Sequence, residues 1–311
     1  MILALDIGGT AVKLGLLDRE GKVYQKASAD VAFDGYRTPI FTTVVGAARC
    51  FLEKNGIKPE GIAVSAAGQV ETEYGVIIGS NGKIMNYEGT RLNEGLEDAF
   101  GAETWALNDA NAAVLGECFT GRARGLRNVV MITIGTGIGG GVVVDGKILS
   151  GRRGIAVELG YIPLRADGLS CACGFRGCYE NYASTTALIR QCEEKTGITG
   201  LDGREIFEKA EAGEKDVLAV LKEWIRDVAE GIIGLIYIFN PEMILIGGGV
   251  SAQEDLLIRP LREEVFARTM PRFREGLSLE RASLGNDAGL VGAVCYWLDR
   301  TQEKTASGMR R

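Results

Sequence analysis

Two patterns of apolar and polar positions alternate along the chain. Short apolar runs closed by glycine, threonine or asparagine read as strands; stretches with apolar residues at every third or fourth position read as helices. Residues 1–31 predict three strands, and residues 39–54 a helix carrying Phe41, Val44, Val45, Ala48 and Phe51 on one face. Residues 61–68 read as a strand running into a small-residue turn, 80–91 as a loop and 92–100 as a short helix. A strand from Thr104 ends in Asn108-Asp109, and a helix follows over about 110–119. Strands flank a glycine-rich turn in 128–148; helices are predicted over 179–195, 203–212 and 215–239, the last ended by Asn240-Pro241. A strand at 243–246 precedes helices over 254–268 and 287–300, the second starting at Asp287 as N-cap, and a frayed tail at 301–311.

The stretch with the most chemistry is Asp6-Ile7-Gly8-Gly9-Thr10-Ala11-Val12-Lys13, a tight turn between two apolar runs. Gly8 and Gly9 lack Cβ, so backbone N–H groups there can approach an anion; Thr10 adds a hydroxyl, and Asp6 sits where it can hold Mg²⁺ through water. An ordinary glycine hairpin is the plainer alternative. The turn has an echo at residues 131–145, where Thr133, Gly135, Thr136 and Gly137 occupy the turn between two apolar strands. Two such turns suggest a duplicated unit. A third apolar strand ends in Gly247-Gly248-Gly249. Asn108, Asp109 and Asn111 can be a helix cap, which needs one such residue, or a polar site, which three favour.

The chain has 311 residues, enough for two domains and a large core, and a net charge of −6 that argues against nucleic acid as the main partner. It contains no histidine, so any general base must be Asp, Glu, Lys, Tyr or Cys. No charged-then-apolar leader precedes Asp6 and the run at 231–239 is too short to span a bilayer; the expectation is a cytoplasmic protein without a membrane partner. Arg152 and Arg153 read as solvated surface charge. Seven cysteines do not suggest a disulfide framework, but Cys171, Cys173 and Cys178 form a C-x-C-x4-C cluster with metal-ligand spacing. The bland alternative is three reduced thiols packed as small apolar filler.

Taken together, residues 6–10, 108–111, 133–141, 158–180 and 246–250 resemble the ROK family (repressors, open reading frames, kinases), a branch of the actin-like sugar kinases. The resemblance implies two actin-like (ribonuclease H-like) α/β domains with an interdomain cleft. One would span residues 1–117 plus 287–311 and the other 118–286, with 80–91 facing the cleft. It implies ATP- and Mg²⁺-dependent phosphorylation of the 6-hydroxyl of a hexose or hexoside, glucose or a β-glucoside first and N-acetylmannosamine as the alternative. Asp109 matches the general base; Gly68, Asn108, Glu158, Tyr161 and Glu180 fall at sugar-binding positions. Asp6, Gly8, Gly9, Thr10, Lys13, Thr133, Gly135, Thr136 and Gly137 would meet ATP phosphates, and Gly247, Gly248 and Gly249 the adenosine. The family zinc site has a histidine where this chain has Tyr161. Zinc would then rest on Cys171, Cys173 and Cys178, with water, Tyr161 or Asp167 as fourth ligand, and sugar selectivity would differ. The family also contains transcriptional repressors, but no helix-turn-helix precedes Asp6. A homodimer is a family expectation only.

Overall fold

The computed structural model describes residues 1–32, 34–35, 37–80 and 84–308. The expected loop at 80–91 and the tail at 301–311 therefore lie partly outside the described residues.

The elements run β1 (Ile2–Ile7), β2 (Ala11–Leu17), β3 (Val23–Asp30), α1 (Ile40–Asn55), β4 (Gly61–Ala66), β5 (Gln69–Glu71), β6 (Val76–Gly79), α2 (Leu92–Phe100), β7 (Glu103–Asn108) and α3 (Asp109–Phe119). The first sheet has the order β3-β2-β1-β4-β7; β1 pairs antiparallel with β2 and parallel with β4, which pairs parallel with β7. Continuous apolar runs are what a sheet buried on both faces requires. Leu3, Leu5 and Ile7 join Val44, Ala48 and Phe51 of α1 and Leu92 and Leu96 of α2 in one core cluster. The small β5–β6 hairpin was not legible in the periodicity.

β8 (Val129–Ile134), β9 (Ile138–Val144) and β10 (Lys147–Ile148) open the second half, followed by α4 (Glu180–Ala183), α5 (Thr185–Thr196), α6 (Gly203–Glu211), α7 (Lys215–Phe239), β11 (Met243–Gly247), α8 (Arg259–Arg268), α9 (Pro271–Arg274), β12 (Ser278–Arg281) and α10 (Ala288–Ser307). The second sheet is ordered β10-β9-β8-β11-β12, again one antiparallel meander followed by two parallel neighbours. The duplicated turn of the sequence thus belongs to a duplicated sheet. The chain forms two compact units: residues 1–125, 148–156 and 286–311, and residues 126–147 and 157–285. Residues 118–125 and 148–156, expected in the second domain, cluster with the first.

Three predicted helices differ from those observed. The helix expected over 179–195 is split, because Ser184 is extended (φ −76°, ψ 165°) and its hydroxyl accepts from Ala187 N–H to cap α5. The helix over 254–268 begins as a π-helical turn at Glu254–Ile258, and α8 starts only at Arg259, with Pro260 in its first turn. Pro lacks the N–H for an i→i−4 bond and suits a first turn. α10 runs through Ser307 instead of fraying at 301, and Asp287 is no side-chain cap: it is helical (ψ −11°) and pairs with Lys26 Nζ at 2.9 Å. α10 packs closely on α3, since a Cβ at Gly292 would lie 1.6 Å from Ala112 O.

Candidate active site

In the first unit the site is assembled by strand register. Ile7 pairs with Ala66 and Ala66 with Asn108, so the three parallel strands β1, β4 and β7 end level with one another. In open α/β sheets that edge is where ligands bind. Asp6 stands at the end of β1, where Lys13 Nζ lies 3.0 Å from its Oδ2 and Ser65 Oγ donates to its Oδ1 at 2.7 Å. Thr10 is exposed beside it. Gly8 N–H closes the turn on Ala11 O at 3.0 Å, so this amide shapes the turn.

Asn108 caps α3 and also ties down its neighbours. Its Oδ1 accepts from Ala110 and Asn111 N–H, capping α3, while its Nδ2 donates to Gly68 O and to Asp109 Oδ1, each at 2.9 Å. Asp109 Oδ1 also accepts from Ala110 N–H at 2.8 Å. The carboxylate is exposed, held by these bonds and set at the N-terminus of α3. Gly68 needs its missing side chain: φ is +91° and a Cβ would lie 2.6 Å from Gly79 O. Tyr87, 1% exposed, has a hydroxyl without a partner among the described residues. Burial, then the charges of Asp109 and Asp6, hold its phenol well above the ordinary range, so it stays protonated. Neither Tyr87 nor Ser65 stood out in the sequence.

In the second unit the turn at Thr133–Gly137 is held from behind. Gly135 N–H donates to Gly137 O at 3.0 Å, Thr185 N–H to Gly135 O at 2.9 Å, and Thr186 Oγ1 to Thr136 O at 2.8 Å. Gly248 brings the third glycine turn against the second: φ is +90° and a Cβ would meet Ile134 O at 2.1 Å. Glu180 lies between turn and cysteine loop; a Cβ at Gly137 would be 2.6 Å from its Oε2, and Cys171 Sγ is 3.7 Å from its Oε1. Glu158 is exposed and follows Val157, whose φ of +68° is a left-handed conformation rare for a β-branched residue. Such strain tends to collect at ligand sites.

The sulfurs of Cys171, Cys173 and Cys178 all lie within 4.8 Å of one another, with Cys173 and Cys178 at 3.4 Å. Tetrahedral zinc with Zn–S bonds of about 2.3 Å needs sulfurs roughly 3.8 Å apart, so the trio fits three corners of such a site. Asp167 is not in this group among the described residues; it lines a cavity with Arg165 and Tyr182. Burial pushes the Tyr161 phenol up to about 12, helped by Glu180, Glu158, Cys171 and Cys173. Burial likewise pushes the Cys178 thiol up to about 12, whereas the Phe175 N–H, then the Cys171 thiol, draw Cys173 down.

Two sheets of one order, each opening on a Gly/Thr turn, define an actin-like, ribonuclease H-like α/β protein. The chain belongs to the ROK family, whose model matches residues 2–300. It is 33% identical to a glucokinase of Thermotoga maritima over 96% of this chain and 98% of that one. It is 34% identical to a β-glucoside kinase of Listeria monocytogenes over 96% and 97%. Among solved structures, the ROK glucokinase of Streptomyces griseus in complex with glucose and AMPPNP is 31% identical, with a TM-score of 0.79 over 94% of this chain and 97% of that one.

Proposed function

We propose that this protein transfers the γ-phosphate of ATP to the 6-hydroxyl of a hexose or hexoside, glucose or a β-glucoside first. The observation that carries the reading is Asp109: an exposed carboxylate, clamped by Asn108 and the start of α3. It would accept the hydroxyl proton as the hydroxyl attacks phosphorus, while Asn108, Gly68, Glu158, Tyr161 and Glu180 orient the ring. Phosphoryl transfer rests on this positioning and on neutralising charge. Mg²⁺, which is bound through one or two carboxylates plus phosphate oxygens, would be held through water by Asp6 and would offset the negative charge on the phosphates. Lys13, Gly9, Thr10, Thr133, Thr136 and Gly137 would receive phosphate oxygens, and Gly247–Gly249 the adenosine. Gly8 and Gly135 then act by closing their turns.

The three thiols would hold zinc, which would be structural, fixing the loop from which Glu180 departs. Tyr161, protonated at working pH, suits a hydrogen-bond donor to sugar better than a phenolate ligand, leaving water as the fourth ligand. The reading brings with it a cytoplasmic location and a homodimer, the latter open to sedimentation analysis. No helix among the described residues is long and apolar enough to cross a membrane. The test is ADP production, with Mg²⁺-ATP, against a panel of glucose, mannose, fructose, N-acetylmannosamine and β-glucosides. Sugar-stimulated turnover is expected, and its absence across the panel would overturn the reading.

A further inference from the structure

Three neighbouring strands place Lys13, Asp6 and Ser65 in one row. Asp6 pairs with Lys13 across the antiparallel β1–β2 ladder and with Ser65 across the parallel β1–β4 ladder. Directly opposed residues put their side chains on the same face, so the three point the same way. That face is covered by the start of α10, where Gly289 leaves no room: a Cβ there would be 2.9 Å from Asp6 Oδ1 and 3.1 Å from Ser65 Oγ. Ser65 is fully buried, and its hydroxyl donates to Asp6 Oδ1 at 2.7 Å. Lys13, half exposed, holds Oδ2 at 3.0 Å. The two oxygens of Asp6 are therefore not equivalent. Oδ1 is locked by a buried donor and the close approach of a helix; among the described residues Oδ2 is held by the ammonium of a half-exposed side chain.

We infer that Ser65 is a positioning residue for cation-dependent nucleotide binding: by fixing Oδ1 it presents Oδ2 of Asp6 to hydrated Mg²⁺. The inference rests on the kinase reading, which supplies the nucleotide and the cation. A hydroxyl donating to a carboxylate is one of the stronger hydrogen bonds in a protein, and removing it frees the carboxylate to rotate. Such preorganisation matters because a cation bound through water gains little from each contact and depends on where the acceptor already stands. Gly289 serves the same oxygen from the helix side, by absence of a side chain.

The experiment is calorimetric titration of ADP, without sugar, into the whole protein with and without Mg²⁺. Parent protein should bind ADP more tightly with Mg²⁺. Ser65→Ala should lower that Mg²⁺ enhancement by about tenfold, the worth of a hydrogen bond to a charged group, while Mg²⁺-free ADP affinity and sugar affinity hold. Ser65→Thr, which keeps the hydroxyl, should restore most of it. Gly289→Ala, which crowds Oδ1 without removing any donor, should show the same selective loss and gives a second route if Ser65→Ala folds poorly. Folded Ser65→Ala or Gly289→Ala protein with the parent's Mg²⁺ enhancement would overturn the inference. A parent whose ADP binding ignores Mg²⁺ would overturn the kinase reading instead.

Discussion

Asp109 and Asn108 act as one device: a helix cap whose side-chain amide also holds the neighbouring carboxylate. Asp109→Asn keeps the shape and loses the proton acceptor. The expected result is a turnover number lower by about 10²–10⁴-fold, with sugar affinity by calorimetry within a few-fold of the parent. Turnover close to the parent's would make Asp109 a cap residue alone. The environments of the two thiols, which push them in opposite directions, can be tested. The thiolate is the nucleophile, so in metal-free protein Cys173, with its lowered pKa, should be alkylated first as pH rises through neutrality. Cys178, buried and held protonated up to about 12, should react last. Mass-mapped iodoacetamide labelling across pH 6–9 reads the order directly, and equal labelling of the two would contradict these environments.

At the scale of elements, the break between α4 and α5 has a visible purpose. Ser184 ends one helix, caps the next, and thereby aims Thr185 N–H and the Thr186 hydroxyl at the carbonyls of Gly135 and Thr136. A continuous helix would have engaged the Thr185 amide within itself. Ser184→Ala should cost about 0.5–2 kcal/mol by denaturant titration, the range for a lost N-cap. Thr186→Val should leave stability nearly unchanged and raise the KM for ATP a few-fold. An unchanged KM would mean the turn needs no support from α5. Periodicity could not show this break, because Tyr179, Tyr182, Ala183 and Ala187, all buried, continue the helical phase across it. The two Gly/Thr turns were legible, since each is a local event between apolar runs, and so were Asn108-Asp109 and the cysteine spacing.

The whole molecule repeats one sheet order twice around different loops: Gly/Thr turns in both units, the Asn108-Asp109 corner in the first and the cysteine loop in the second. If zinc sits on the three thiols, protein prepared without chelator should contain about one zinc per chain by elemental analysis, as three thiolates and one more ligand complete a closed site. Chelation should then lower the melting temperature and sugar affinity together. Zinc well below that level would leave Cys171, Cys173 and Cys178 as ordinary thiols, with Cys171 Sγ at 3.7 Å from Glu180 Oε1 the contact between that loop and the carboxylate.

Features legible in the chain are those that lie within a few residues of their cause. Apolar run length, glycine pairs and the C-x-C-x4-C spacing act over one turn or one strand, and they were enough to place most strands and helices, both Gly/Thr turns and the thiol cluster. Only the tertiary structure decided which groups meet across distance. Ser65 reaches Asp6 from 59 positions away through strand register, and Gly289 reaches the same oxygen from the last helix. Tyr87 became notable only once its buried hydroxyl was found without a partner among the described residues. The strain at Val157 has no local signal, since a β-branched residue adopts φ > 0 only when the surrounding fold overrides its own preference.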